Sequence, residues 1–393
     1  MHKKINTGIF TNIAPLYIRP LWDKLVASKD IRYTFISSAI GYEGIKTILP
    51  NDFIEKNRAN EPDWRFVKNI YLGPILVYQL GVLKQVLRNE FDVYVFSGEM
   101  YTISTWIAAI ICRIRHKPVF FWGHGYYGNE GFLKKYFRLL FYKIAGYHFL
   151  YGNRARNLLI DLGFKPDRLF TVYNSLDYDL HSQLYYNRNS RILDELKTEL
   201  LHSNNQYPTL VFIGRLTKKK KLSLLIDALY LLREKGNQIN CILIGDGEEK
   251  ASLVETVRQY GMEGNVYFYG SCYDDVKTAN LIMLADCCVS PGNVGLTAIH
   301  CMSLGTPIIT HDQFGHQMPE VEAVVKNKTG FFFKEDNVES LSFAIDHFTS
   351  AGKKQKMESA CIEMIREHFN PQNQCRIISD TVREAYSAKH PHK

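Results

Sequence analysis

Residues 286–310 read DCCVSPGNVGLTAIHCMSLGTPIIT. Cys287, Cys288 and Val289 make a short apolar strand. Ser290-Pro291-Gly292-Asn293-Val294-Gly295 cannot prolong it, since proline donates no ladder hydrogen bond and glycine weakens a strand. A helix begins near Leu296, carries Ala298, Ile299, Met302 and Leu304, and stops at Gly305-Thr306-Pro307. Ile308-Ile309-Thr310 is the next strand. Strand, glycine turn, helix and strand in this order form a parallel βαβ unit. The turn sets backbone N–H groups at a helix N-terminus, which suits an anion. Glycine lets a ligand approach the backbone closely. A plain βαβ turn also contains glycine, so the stretch decides fold class before it decides function.

The same rhythm runs outward in both directions. Before it, strands are expected at 209–213, 240–244 and 266–269, with helices at 222–232, 248–260 and 276–284. After it come a strand at 330–333 and closing helices. Towards the N-terminus, strands are expected at 5–10, 33–37, 93–96, 118–122, 147–150 and 169–173. Helices are expected after Arg19-Pro20 and at 76–87, 103–114, 132–144 and 155–162. Residues 40–64 carry Gly41, Gly44, Pro50 and Pro62 with weak periodicity and read as a long excursion. Alternation of this kind predicts an α/β protein of two doubly wound parallel sheets. The expected division is an N-terminal domain over 1–177, a linker region over 178–207, a second domain over 208–370, and a C-terminal helical segment over 371–393 that packs back on the first domain. Ligands in such sheets bind at the carboxyl ends of strands, so a cleft between the two domains is expected.

A length of 393 residues suits about two domains. No apolar run reaches the roughly 18 residues of a transmembrane helix. The N-terminus, MHKKINTGIF, lacks the features of a secretory signal, and the expected location is the cytoplasm. The eight cysteines show no CxxC spacing and read as buried and reduced. Net charge is +8 and unevenly placed. Residues 1–175 hold 24 Lys+Arg against 13 Asp+Glu, a balance of +11; the remainder holds 24 against 27, a balance of −3. Two halves with different partners follow. The run 134–143, KKYFRLLFYK, interleaves basic and aromatic residues. It reads either as a core helix with a basic outer face or as a membrane-surface element beside an anionic acceptor. Nucleic acid is not expected, because no nucleic-acid motif accompanies the charge.

Gly214-Arg215-Leu216-Thr217-Lys218-Lys219-Lys220-Lys221 follows one expected strand and precedes a helix. Arg215 offers a planar fork for phosphate oxygens and a lysine offers a mobile point charge. Four adjacent lysines repel one another, so a counter-anion is expected; a solvated basic loop is the plainer alternative. Asp274-Asp275 reads as a helix cap rather than a metal pair.

VFIGRLTKKKKLSLLIDAL resembles the phosphate-binding signature of glycosyltransferase family 4, also called glycosyl transferases group 1. LIGDGEEKASL, NVYFYG, the opening stretch and MPEVEAVVKNKTGFFF follow in that family's order. The resemblance covers roughly residues 170–345. It implies a GT-B fold of two facing Rossmann-like domains and sugar transfer from a nucleotide sugar with retention of configuration, without a metal or cofactor. It implies that Gly214, Arg215 and Lys220 hold the donor diphosphate. His124, in Gly123-His124-Gly125, resembles the histidine that reaches the donor sugar. The family's paired glutamates are missing. Gly292 or Asn293 stands at the first and His300 at the second, where a ribose contact is implied. Asn293, Val294, Gly295, Leu296 and Thr297 are the donor-binding turn. Glu320 or Glu322 is the acid after Pro319, with Glu322 slightly favoured by its spacing to Gly330. Asn12, Glu99 and Glu130 are acceptor-side candidates.

The function implied is a hexosyltransferase using a UDP- or GDP-sugar. It acts on a glycan or lipid-linked acceptor in bacterial surface polysaccharide, lipopolysaccharide or capsule synthesis, at the inner membrane face. Two other readings remain open from the sequence: a sugar-nucleotide epimerase of similar fold, and a non-catalytic partner subunit that only binds nucleotide, for which the missing glutamates speak.

Overall fold

The computed structural model describes residues 4–41, 46–48, 63–350 and 352–389. The chain divides into two units, residues 1–176 with 371–393, and residues 177–370.

The first unit runs β1 (Ile5–Ile13), α1 (Arg19–Val26), β2 (Ile31–Ser38), β3 (Asp63–Leu72), β4 (Leu76–Leu80), α2 (Val82–Leu87), β5 (Val93–Ser97), α3 (Ile103–Ile114), β6 (Val119–Gly123), α4 (Phe132–Tyr142), β7 (Tyr147–Leu150), α5 (Asn153–Asp161) and β8 (Leu169–Thr171). Its sheet has the order β4-β3-β2-β1-β5-β6-β7-β8. All pairings are parallel except β3 with β4. Successive side chains of a strand point to opposite faces, and both faces are apolar. Ile9, Val95 and Phe120 enter one core with Trp22 of α1 and with Ile378 and Val382 of the C-terminal helix Pro371–Ser387. Their neighbours Phe10, Phe96 and Phe121 enter the other core with Ala108 of α3 and Phe141 of α4. Each fully buried side chain of this size contributes roughly 1.5–3 kcal/mol.

The segment 76–87, read as one helix, is a strand and a short helix. Leu76–Leu80 pairs antiparallel with β3. Gly81, at φ 105°, then turns the chain into α2. Apolar residues at 76, 77, 80, 82, 83 and 86 fit a helical period, but the β3 edge offers this segment a hydrogen-bonding partner. Most of the expected excursion at 40–64 lies outside the described residues, although Asp63 and Trp64 already belong to β3.

The second unit continues with α6 (Tyr178–Tyr186), α7 (Ser190–Leu201), β9 (Thr209–Ile213), α8 (Leu222–Glu234), β10 (Asn240–Ile244), α9 (Lys250–Gln259), β11 (Val266–Gly270), α10 (Asp275–Leu284), β12 (Cys287–Ser290), α11 (Leu296–Ser303), β13 (Ile308–His311), β14 (Gly330–Phe333), α12 (Val338–Thr349) and α13 (Lys354–Glu367). Its sheet is wholly parallel in the order β11-β10-β9-β12-β13-β14. Residues 178–207 hold α6 and α7 and lie within this unit. Asp274 caps α10, its carboxylate accepting from Lys277 N–H at 3.0 Å. All eight cysteines are free; Cys272 and Cys375 are half-buried and the other six buried.

In each sheet the strand order reverses once, between β1 and β5 and between β9 and β12. Such a switch point opens a crevice at the carboxyl ends of the strands. Gly214-Arg215 follows β9, Pro291–Gly295 follows β12, and Asn12 and Glu99 lie at the ends of β1 and β5.

Candidate active site

Three loops converge at the β9/β12 switch point. Gly214 N–H donates to Ile244 O at 3.0 Å, Leu216 N–H to Asp246 O at 2.9 Å, and Gly292 N–H to Lys220 O at 3.0 Å. The approach is so close that a Cβ on Gly245 would lie 1.9 Å from Gly214 O, and one on Gly292 would lie 2.0 Å from Lys219 O. These glycines are required by contact with neighbouring backbone.

The four lysines separate into distinct roles. Lys221, at φ 50°, donates to Glu335 at 2.9 Å and Asp336 at 2.6 Å. Lys218 and Lys219 are exposed. Lys220 turns inward, and its Nζ donates to Asn293 O at 2.8 Å and Asn293 Oδ1 at 3.0 Å. Burial pushes the Lys220 ammonium below its ordinary pKa; Glu320 acts against this and Arg215 adds to it. Arg215 and Lys220 therefore raise positive potential at one place, with Arg215 exposed.

Asn293, at or beside the first glutamate position, thus holds the lysine. Glu320 is 2% exposed and senses the Lys220 charge, whereas Glu322 is half-buried. Glu320 Oε2 lies 4.0 Å from where a Gly295 Cβ would stand. Both acids lie on a 3-10 turn, Pro319–Ala323, which buries Glu320 and leaves Glu322 half-buried.

The turn before α11 is fixed from below. Thr297 Oγ1 donates to Ile213 O at 2.9 Å. Val294 N–H donates to Gln317 Oε1 at 2.7 Å, and Gln317 Nε2 donates to Thr310 Oγ1 at 2.9 Å and His311 O at 3.0 Å. Val294 N–H is thereby committed to the protein, while Gly295, Leu296 and Thr297 begin the helix and offer first-turn amides. Gln317 was missed from the sequence; a lone Gln in a loop carries no signal until its buried partners are known.

His300 lies on α11 with its ring stacked on His181 of α6, centroids 4.6 Å apart and planes at 10°. Ser303 Oγ donates to His300 O at 2.8 Å. The same hydroxyl is hydrogen-bonded to His181 Nδ1 at 2.9 Å. His300 keeps some surface, yet enclosure and the neighbouring His181 push its pKa down to about 3. It is a neutral imidazole with one donor and one acceptor nitrogen at neutral pH.

In the first unit a cavity of about 430 Å³ occupies the β1/β5 switch point. Its lining includes Asn12, Glu99, Tyr101, Thr102 and Tyr151, with Trp22 and Trp122. Thr102 Oγ1 donates to Asn12 Oδ1 at 3.1 Å. Burial raises the Glu99 pKa, with Arg138 acting against it. The indole N–H groups of Trp22 and Trp122 are buried with no hydrogen-bond partner among the described residues. Such donors are costly to leave unpaired and suit a polar guest. Neither tryptophan was singled out from the sequence, where each reads as an ordinary core residue.

His124 follows β6, packed against Tyr127 at 5.9 Å and Tyr151 at 5.0 Å. Its Nδ1 is buried without a partner among the described residues, and burial with the nearby Arg138 lowers its pKa to about 4. Glu130 does not line the cavity: its carboxylate is held by Arg138 at 2.7 Å and Lys134 at 3.7 Å.

The histidine shifts make acid stability predictable. Unfolded, His124 and His300 titrate near 6.5; folded, they stay neutral down to about 4 and about 3. Between these values the unfolded chain binds more protons, so their stabilising contribution is full above about pH 6.5 and is lost as the pH falls. The melting temperature should be level from pH 8 to 7 and drop below 6.5, and His300→Gln should flatten that drop.

Residues 195–368 match the family described as Glycosyl transferases group 1. This stretch belongs to the group 1 glycosyltransferases. A glycogen synthase from Francisella tularensis subsp. tularensis is 29% identical over 143 residues, 34% of this chain and 28% of that protein. The alignment thus spans little more than a quarter of that curated relative. Among solved structures, Anabaena Alr3699/HepE in complex with UDP superposes with a TM-score of 0.73 at 18% identity, covering 97% of this chain and 100% of that one. A glycosyltransferase from Rickettsia africae superposes with a TM-score of 0.73 at 16% identity, covering 100% of both chains. The two sheets of the chain are those of the GT-B fold.

Proposed function

We propose that the protein is a retaining glycosyltransferase that moves a hexose from a UDP- or GDP-sugar to a glycan or lipid-linked acceptor. The reading is carried by the convergence of Arg215, Lys220 and the α11 N-terminus at one switch point. Arg215 and Lys220 neutralise the departing nucleoside diphosphate, with the Gly295, Leu296 and Thr297 amides beside it. This places positive charge where negative charge develops in the transition state. No metal is required for that task in this scheme. His300 meets a ribose hydroxyl, and Glu320 sets the electrostatic environment of Lys220. A β-phosphate oxygen takes the acceptor proton as the new bond forms on the face of the leaving group, so configuration is retained. On the acceptor side Asn12, Glu99 and the two indoles line the receiving cavity, with His124 packed against Tyr151 in its wall.

The bound UDP of the Anabaena protein supports a uridine donor. The acidless, aromatic and basic α4 supports work at an anionic membrane face, as surface polysaccharide synthesis requires. A thermal-shift series with UDP-, GDP- and CMP-sugars tests the donor. One uridine or guanosine nucleotide should raise the melting temperature, because a ligand that binds the native state stabilises it. A response to none of them defeats the reading. Conversion of the sugar nucleotide without any acceptor would favour an epimerase instead.

A further inference from the structure

The outer surface of the first unit is apolar where a water-facing surface would be polar. On α4, Phe132 is 82% and Leu133 70% exposed, and Tyr136, Phe137 and Leu140 continue the same stripe. The buried side of that helix is Arg138, Phe141 and Tyr142. On α3, Ile107, Ile110 and Ile114 are exposed at helical spacing, with Ile114 at 72%. The tip of the β3–β4 hairpin adds Leu72, Ile75 and Leu76, with Ile75 at 59%.

These three elements are neighbours. Val77 N–H of β4 donates to Tyr101 O at 2.9 Å, and Gln79 N–H donates to Ser104 Oγ of α3 at 3.0 Å. Trp106 of α3 and Phe141 of α4 pack with centroids 4.9 Å apart. Their inner sides share one core, with Val67 of β3, Ala108 of α3 and Phe141 of α4 in it.

The charged residues within these three segments have one sign, with Glu130 just before α4 pairing Lys134 at 3.7 Å. Segments 64–80, 103–119 and 131–149 contain no Asp or Glu. Lys68, Arg113, Arg115, Lys134 and Lys143 are exposed on them. A second copy of the chain would bring like charge against like charge. Anionic headgroups would neutralise these cations while the aromatic and aliphatic side chains enter the acyl boundary.

We propose that the β3–β4 hairpin tip, α3 and α4 together form a docking surface for an anionic lipid bilayer. No helix among the described residues is long and apolar enough to cross a membrane, so the attachment is interfacial. The hairpin also walls the first-unit cavity through Tyr71, Pro74 and Ile75. The bilayer surface therefore adjoins the acceptor site, which narrows the acceptor to one anchored in lipid; that last step rests on the function proposed above.

The test is flotation of the full chain with vesicles of phosphatidylcholine alone or with phosphatidylglycerol, in the absence of donor and acceptor. The wild type should float with the phosphatidylglycerol vesicles and much less with the neutral ones. Leu72→Glu, and separately the pair Phe132→Glu and Leu133→Glu, should each lower the bound fraction about tenfold. These side chains are exposed, and an unchanged melting temperature shows that the fold is intact. Absence of flotation, or equal flotation of the variants, overturns the proposal. So does a wild-type dimer in solution that the same substitutions dissociate without any lipid binding. Nucleotide binding plays no part in this measurement, so its outcome is separable from the donor assignment.

Discussion

Replacing Arg215 and Lys220 together by alanine lowers sugar transfer by about 10³-fold or more, and each single replacement by about 10²–10³-fold. The two cations lie close enough that Arg215 depresses the Lys220 pKa. They act on one developing charge, so the double loss is smaller than the product of the singles. The fall appears in kcat as well as KM, because negative charge on the diphosphate is greatest as the glycosidic bond breaks. The two singles differ in stability. Arg215 is exposed, and Arg215→Ala should leave the melting temperature almost unchanged. Lys220→Ala breaks the bonds from Lys220 Nζ to Asn293 O and Oδ1, 2.8 and 3.0 Å long. It should therefore also destabilise the fold. Turnover that survives the double replacement removes both residues from the site.

Gly292→Ala destabilises the second unit by about 1–3 kcal/mol, the range of overpacked positions. The added Cβ would stand 2.0 Å from Lys219 O and 2.8 Å from Lys220 Cα. Both obstacles are backbone, so no side-chain rotation relieves them. The loops must part, and the bond from Gly292 N–H to Lys220 O, 3.0 Å long, breaks. Lys220 Nζ is then drawn from Asn293, so nucleotide affinity falls together with stability. Urea unfolding midpoints and nucleotide titrations measure the two effects. Gly131→Ala is the control: nothing lies within 4 Å of its Cβ, and at the N-cap of α4 the change should cost no more than about 1 kcal/mol, without loss of nucleotide affinity. Equal behaviour of the two variants would mean that the loops are not locked at Gly292.

Much of the second unit is legible in the chain. The strands at 209–213, 240–244 and 287–290 are apolar runs closed by glycine or proline, and such signals are local. The stretch 286–310 shows the βαβ unit outright. The first unit reads less well. The segment 76–87 has helical spacing, yet its first part pairs with β3, because an unpaired strand edge outweighs a weak local preference. The site shows the same division. Arg215 and Lys220 stand in a recognisable order after a strand. Glu320 was already a candidate beside Glu322, but its burial near Lys220, like Gln317 and the two orphan indoles, became visible only when distant segments met.

By itself the sequence determined the alternation of strand and helix, the positions of the glycine turns, the cluster of cations after β9 and the basic bias of the first 175 residues. These follow from neighbours along the chain: spacing, backbone permissiveness and charge. Only the tertiary structure decided which lysine turns inward, which glutamate influences its charge, and that three acid-free segments pack as neighbours. Each of those depends on packing between residues far apart in sequence. The Lys220–Asn293 bond spans 73 positions, and no local pattern along the chain encodes such a contact.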